Sequence, residues 1–139
     1  MDLGYFADWN NEGAVILGVT RPELPSFIAN IKEFFASTEL MLDVHALPSV
    51  NQHKGIRLSL VRPGVTLKDR FCWVCPGEHS ENEIIEMLSG KESGDRPGHH
   101  YFELLPNPID LIVAFDEYDS SLWIECHSPA AVLDLANAT

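Results

Sequence analysis

The segment Ile109–Phe115, IDLIVAF, constrains the fold of this chain more than any other. Ile109, Leu111, Val113 and Phe115 recur at every second position, so on a strand they share one face. Ile112 and Ala114 make the opposite face apolar as well. A strand that is apolar on both faces is central in its sheet. Asp116-Glu117-Tyr118-Asp119-Ser120 then breaks the pattern with turn-tolerant polar residues. Leu122, Ile124 and Cys126 resume an apolar alternation, with Trp123, Glu125 and His127 on the other face. Together these residues predict a core β-hairpin over Ile109–His127 with an acidic tip.

A chain of 139 residues fits one domain, 1–139. It is long enough to bury roughly two-thirds of its unfolded surface without staples. No apolar run approaches the about 18 residues of a membrane span. The opening MDLGYFADWNNEG has neither a basic region nor an apolar stretch of the export type. With three cysteines, this leads to the expectation of a cytoplasmic protein with free thiols.

The net charge of −12 is unevenly spread. Residues 1–70 hold eight acids and seven bases, whereas residues 71–139 hold thirteen acids and two bases. After Arg96 there is no Lys or Arg. Such a field disfavours nucleic-acid phosphates and anionic membranes, both of which call for clustered cations. It favours a basic protein partner, or serves solubility alone.

Along the chain, Tyr5–Trp9, the turn Asn10–Gly13 and Ala14–Val19 read as an N-terminal hairpin. Ser26 is placed to cap a helix whose residues Phe27, Ile28, Ile31, Phe34 and Phe35 form one apolar face. Leu40–Ala46 and Gly55–Val61 read as strands, the second half-solvated because Ile56, Leu58 and Leu60 are interleaved with Arg57, Ser59 and Arg62. Thr66–Val74 reads as a further strand. Ser80-Glu81-Asn82-Glu83 is a capping box that opens a short helix with Ile84, Ile85 and Leu88 inward. Gly90–Gly98 is a polar loop, and His100–Leu104 a strand. Ser128-Pro129 caps a closing helix, Ala130–Ala136. The class is α+β: a mostly antiparallel sheet of about six to eight strands with two or three helices.

Cys72-Trp73-Val74-Cys75, with His79, Cys126 and His127, contains the ligand types of a zinc site or a redox dithiol. A single CxxC followed by Pro76-Gly77 lacks the helix that a thioredoxin-like site needs. His99 and His100 are neighbours on a strand and point to opposite faces, although one could pair with a carboxylate such as Asp95. GxSxG, GxGxxG and GxxxxGK[ST] are absent, and DEYDSS lacks the ligand spacing of an EF-hand.

The expected function is therefore a non-catalytic acidic binding domain with no metal and no cofactor. Its most concrete form is an inhibitor or immunity-type protein that occludes the cationic site of a basic partner, for example a toxin. Asp116, Glu117, Tyr118 and Asp119 would form the contact, supported by Glu103, Glu125 and Trp123. Nucleic acid and membrane are not expected partners, and the oligomeric state is left open. The alternative is a small metal-binding or redox protein, or an enzyme, built on Cys72, Cys75, His79, Cys126 and His127. A third option is a structural subunit that is acidic only for solubility.

Overall fold

The computed structural model describes residues 1–90, 98–106 and 108–137. Its strands are β1 (Asp2–Phe6), β2 (Ala14–Val19), β3 (Met41–Asp43), β4 (Asn51–Gln52), β5 (Leu58–Val61), β6 (Phe71–Val74), β7 (Gly98–Glu103) and β8 (Asp110–Phe115). The helices are α1 (Leu24–Ala36), α2 (Glu81–Ser89) and α3 (Ala130–Asn137). The class is α+β, as the sequence predicts. Two sheets form, ordered β4-β1-β2-β8-β7 and β3-β5-β6. Pairing is antiparallel in β1–β2, β3–β5 and β7–β8, and parallel in β1–β4, β2–β8 and β5–β6. An isolated bridge between Cys72 and Leu105 joins the two sheets.

β8 lies inside the larger sheet, hydrogen-bonded along both edges, as its two apolar faces require. Leu111, Val113 and Phe115 enter the main core beside Phe27, Ile31, Leu58, Leu60, Trp73, Ile84 and Leu88. Ile112 and Ala114 enter a second cluster with Phe6, Ala14, Ile16, Trp123 and Cys126. The larger sheet is thus covered on both faces. On one side lie α1, α2 and the small sheet; on the other lies the chain that follows β8.

That second cover corrects the predicted hairpin. Leu122–His127 is not a strand: Leu122–Glu125 is a 3-10 turn. Both edges of β8 are already bonded, to β2 and to β7, so no edge is free to accept a hairpin partner. Asp116 leaves the strand in a left-handed conformation (φ 49°). Asp119 then holds the backbone N–H of Ser121 at 3.0 Å and also takes its hydroxyl. The chain crosses the back of the sheet and rejoins it only through the Tyr5–His127 bridge. The inward side chains change as a result: Trp123 is buried and Ile124 is 81% exposed, while Cys126 stays buried.

Other boundaries move for local reasons. α1 begins at Leu24 with Pro25 in its first turn, so Ser26 lies inside the helix and does not cap it. The capping box upstream is Thr20 with Glu23, on a preceding 3-10 turn. Leu40–Ala46 reduces to β3 followed by a 3-10 turn, and Thr66–Val74 reduces to β6. β5 is not half-solvated, because it lies between β3 and β6 and is buried along its length. Its Ser59 donates to Asp43 Oδ1 at 2.6 Å, and Arg70 Nη1 donates to that same oxygen at 3.1 Å.

The predicted apolar stripe of α1 holds, with Phe27, Ile28, Ile31 and Phe34 buried. So does the Ser80 box: Glu83 N–H donates to Ser80 Oγ at 3.1 Å, and Ser80 N–H donates to Glu83 Oε1 at 3.2 Å. Ser128 Oγ accepts from Ala130 N–H at 3.3 Å at the start of α3. Residues 91–97 of the predicted polar loop, with Asp95, lie outside the described residues.

Candidate protein-binding face

Strand register assembles the candidate site. On the second face of the larger sheet, His99, Tyr101 and Glu103 of β7 stand opposite Ala114, Ile112 and Asp110 of β8. The next strand inward, β2, contributes Ala14, Ile16 and Gly18 to the same face. Trp123 lies flat over this strand because two glycines make room. A Cβ on Gly18 would fall 2.7 Å from Trp123 Cζ2, and one on Gly4 3.2 Å from Trp123 Cε3. The indole is stacked on His53 at 5.6 Å and packs against Phe6 at 5.9 Å.

Beyond the indole the face becomes aromatic and acidic. Trp9, on the turn between β1 and β2, meets Tyr118 edge-on with ring centroids 5.9 Å apart. Tyr101 is 51% exposed and packs edge-on against His99 at 4.9 Å. A notch of about 50 Å³ lies where Trp9, Glu12, Tyr101 and Asp110 meet. Burial, followed by the charges of Glu12 and Glu78, pushes the Asp110 carboxyl above its ordinary value. Burial, followed by Glu117, raises the Tyr118 hydroxyl.

The predicted contact residues have divided fates. Asp116 is engaged by Arg21, through the backbone N–H at 3.3 Å and Nε at 3.5 Å. Glu117 lies 2.8 Å from His99 Nδ1, which identifies the carboxylate partner of that histidine. Asp119 is committed to Ser121, which holds its carboxyl below the ordinary value. Trp123 is only 7% exposed, so it supports the face from beneath. Glu103 and Glu125 are exposed. Glu103 and Asp116 flank opposite ends of β8, about 20 Å apart at the rise of a strand. The carboxylates therefore span a face and are not gathered at one tip.

Sequence reasoning missed Trp9, Glu12, Tyr101 and Asp110. The alternation within GHHYFE contained the signal for His99, Tyr101 and Glu103. The register that sets Glu103 against Asp110 joins strands across a turn whose geometry the sequence leaves open. Among the described residues, no salt bridge joins Glu12, Glu103, Asp110 or Glu125 to a Lys or Arg. The cations Arg62 and Arg70 pair elsewhere, with Glu81 and Asp43 on the small-sheet side.

The alternative constellation does not assemble. Cys75 lies in the main core, and Cys126 in the cluster on the other face of the larger sheet. His79 sits 3.5 Å from both Glu78 and Glu83, while His127 Nδ1 accepts from Ala7 N–H at 3.1 Å. Burial raises all three thiols, that of Cys75 to about 11, which opposes thiolate chemistry near neutral pH. Among the described residues, no group of three His, Cys, Asp or Glu side chains could hold a metal ion, and no helix is long and apolar enough to cross a membrane. In comparisons with known proteins, no family model, curated protein or solved structure matches the chain.

The raised Asp110 carboxyl has a measurable consequence. A group whose folded-state value is raised binds its proton longer in the folded state. Its ionisation therefore costs stability once the pH passes the unfolded value of about 4. Asp110→Asn removes that cost. The variant should unfold at a higher temperature than wild type at neutral pH, by an amount equivalent to under about 1 kcal/mol for this partly buried group. The difference should vanish below about pH 4 in thermal melts followed by circular dichroism.

Proposed function

We propose that this protein is a non-catalytic binding domain whose acidic, aromatic sheet face engages a basic protein partner in the cytoplasm. Its most specific form is an inhibitor or immunity-type protein, which silences a cationic toxin by covering the Lys and Arg that the toxin uses on its own substrate. One observation carries this reading: among the described residues, Glu12, Glu103 and Glu125 are exposed and form no salt bridge to Lys or Arg, and Glu12 lies beside Trp9 and the half-exposed Tyr101 on one sheet face. Aromatic side chains supply contact area at low entropic cost, and the carboxylates steer and orient a basic surface.

The test pairs capture with calorimetry. Immobilised wild-type protein is used to capture partners from the native host, and the captured protein is titrated against wild type, Tyr101→Ala and the Glu12→Lys/Glu125→Lys double variant. The expected partner is basic. Its affinity should fall at least about tenfold in both variants, with a smaller loss for the charge reversal at high salt, where screening is already strong. The partner's own activity should be suppressed by wild type alone. An affinity that ignores salt and survives both changes would end the reading.

A further inference from the structure

A pocket of about 190 Å³ lies beside this face, between β6, the turn that follows it, the first turn of α2 and the end of β7. Its walls are apolar: Trp73 and Phe102 pack with ring centroids 4.7 Å apart, and Ile84 and Leu105 continue the lining. Leu105 is 49% exposed, so the apolar lining reaches solvent. Glu78, His79 and Glu103 also line the pocket; both carboxylates are exposed, and His79 Nε2 lies 3.5 Å from Glu78. Glu103 belongs to the acidic face, so the mouth of the pocket borders the face already described.

Volume and charge together restrict the occupant. An apolar cavity of about 150 Å³ holds a benzene molecule, so this pocket has room for a long side chain. A neutral apolar group would fill the walls and leave two carboxylates facing it. A small inorganic cation would meet the carboxylates and leave the aromatic walls wet. An alkyl stem ending in a cation satisfies both, and aromatic rings add their attraction for the charge.

We propose that this pocket receives the side chain of one Arg or Lys of the basic partner, with its stem against Trp73, Phe102 and Leu105 and its charged head at Glu78 and Glu103. The proposal rests on the binding reading above and names the residue class that anchors it.

The probe is n-butylguanidinium, which reproduces an arginine side chain, with 1-pentanol as the neutral comparison. Binding is followed by the backbone and indole N–H signals of the isotope-labelled protein at low ionic strength. Saturable shifts at Trp73 and Gly77 are expected with the cation, and affinity at least about fivefold weaker for the alcohol. In Glu78→Gln/Glu103→Gln the cation should bind no better than the alcohol does. Both side chains are exposed, and the same spectrum verifies that the variant is folded. Shifts absent from Trp73, equal for cation and alcohol, or unchanged in the double variant would overturn the pocket. Two results separate this proposal from the binding reading. A captured partner that loses affinity with Tyr101→Ala but not with Glu78→Gln/Glu103→Gln overturns the pocket and leaves the face. Saturable cation binding, with a partner indifferent to Tyr101→Ala and to salt, supports the pocket as a cation site and removes the face.

Discussion

Trp123→Ala is expected to lower stability by about 3–5 kcal/mol, the range for deleting a buried large aromatic. The indole is the centre of the cover on the second sheet face, in contact with Phe6, His53 and the flat surface at Gly4 and Gly18. Removing it leaves Ile16, Ile112 and Ala114 under a cavity that the short 3-10 turn cannot collapse to fill. Gly18→Val should reproduce part of the effect from the opposite side, about 1–3 kcal/mol of overpacking. Urea unfolding checks both. A loss under about 1 kcal/mol for Trp123→Ala would mean that the segment after β8 only rests on the sheet. Affinity for the proposed basic partner should fall in the same variant, because Tyr118 and Trp9 pack in the same cluster as the indole.

The second large effect is expected at Arg62. Its guanidinium closes the C-terminal end of α1: Nη2 donates to the carbonyls of Phe34 at 2.9 Å, Ser37 at 3.2 Å and Phe35 at 3.3 Å. Nε donates to Glu39 O at 3.3 Å, and Nη1 to Glu81 Oε2 at 3.1 Å at the start of α2. The group also lies 4.5 Å over the Phe34 ring. One side chain thus satisfies helix-end carbonyls, complements the negative end of α1 and ties two helices to the end of β5. Arg62→Ala should cost about 3 kcal/mol, since part-buried acceptors lose a charged donor together. Arg62→Lys should recover less than half, because an ammonium cannot reach carbonyls and carboxylate in the same fork. Denaturant midpoints measure both, and a full recovery by lysine would show that charge alone suffices.

The same residues show how far sequence reasoning reaches. Arg62 reads in the sequence as a polar interruption of a half-solvated strand. Its role as a helix cap depends on α1, which ends 26 residues earlier in the chain. The acidic run Asp116–Asp119 was legible as the place where β8 ends. Its occupation by Arg21, His99 and Ser121 was not, because Arg21 and His99 are brought there by strand pairing. Glu103 was legible as exposed and acidic. Tyr101, Asp110 and Glu12 come together only through the register of β7 on β8 and the position of the turn before β2.

The sequence by itself determined the elements whose periodicity is strong and local. The two apolar faces of Ile109–Phe115 specified a central strand, the stripe on Phe27–Phe34 specified a core helix, and Ser80 with Glu83 specified where α2 begins. Charge composition also specified the sign of any partner that the C-terminal half could attract. Only the tertiary structure decided what covers the back of the sheet. The alternation in Leu122–His127 suits a strand, but a strand needs a free edge, and β8 has none. A segment denied backbone partners in the sheet must satisfy its own, which a 3-10 turn does while laying Trp123 across two glycines. The acidic stretch after β8 therefore became part of a broad face, with Glu103 of β7 and Asp110 of β8 at its other end.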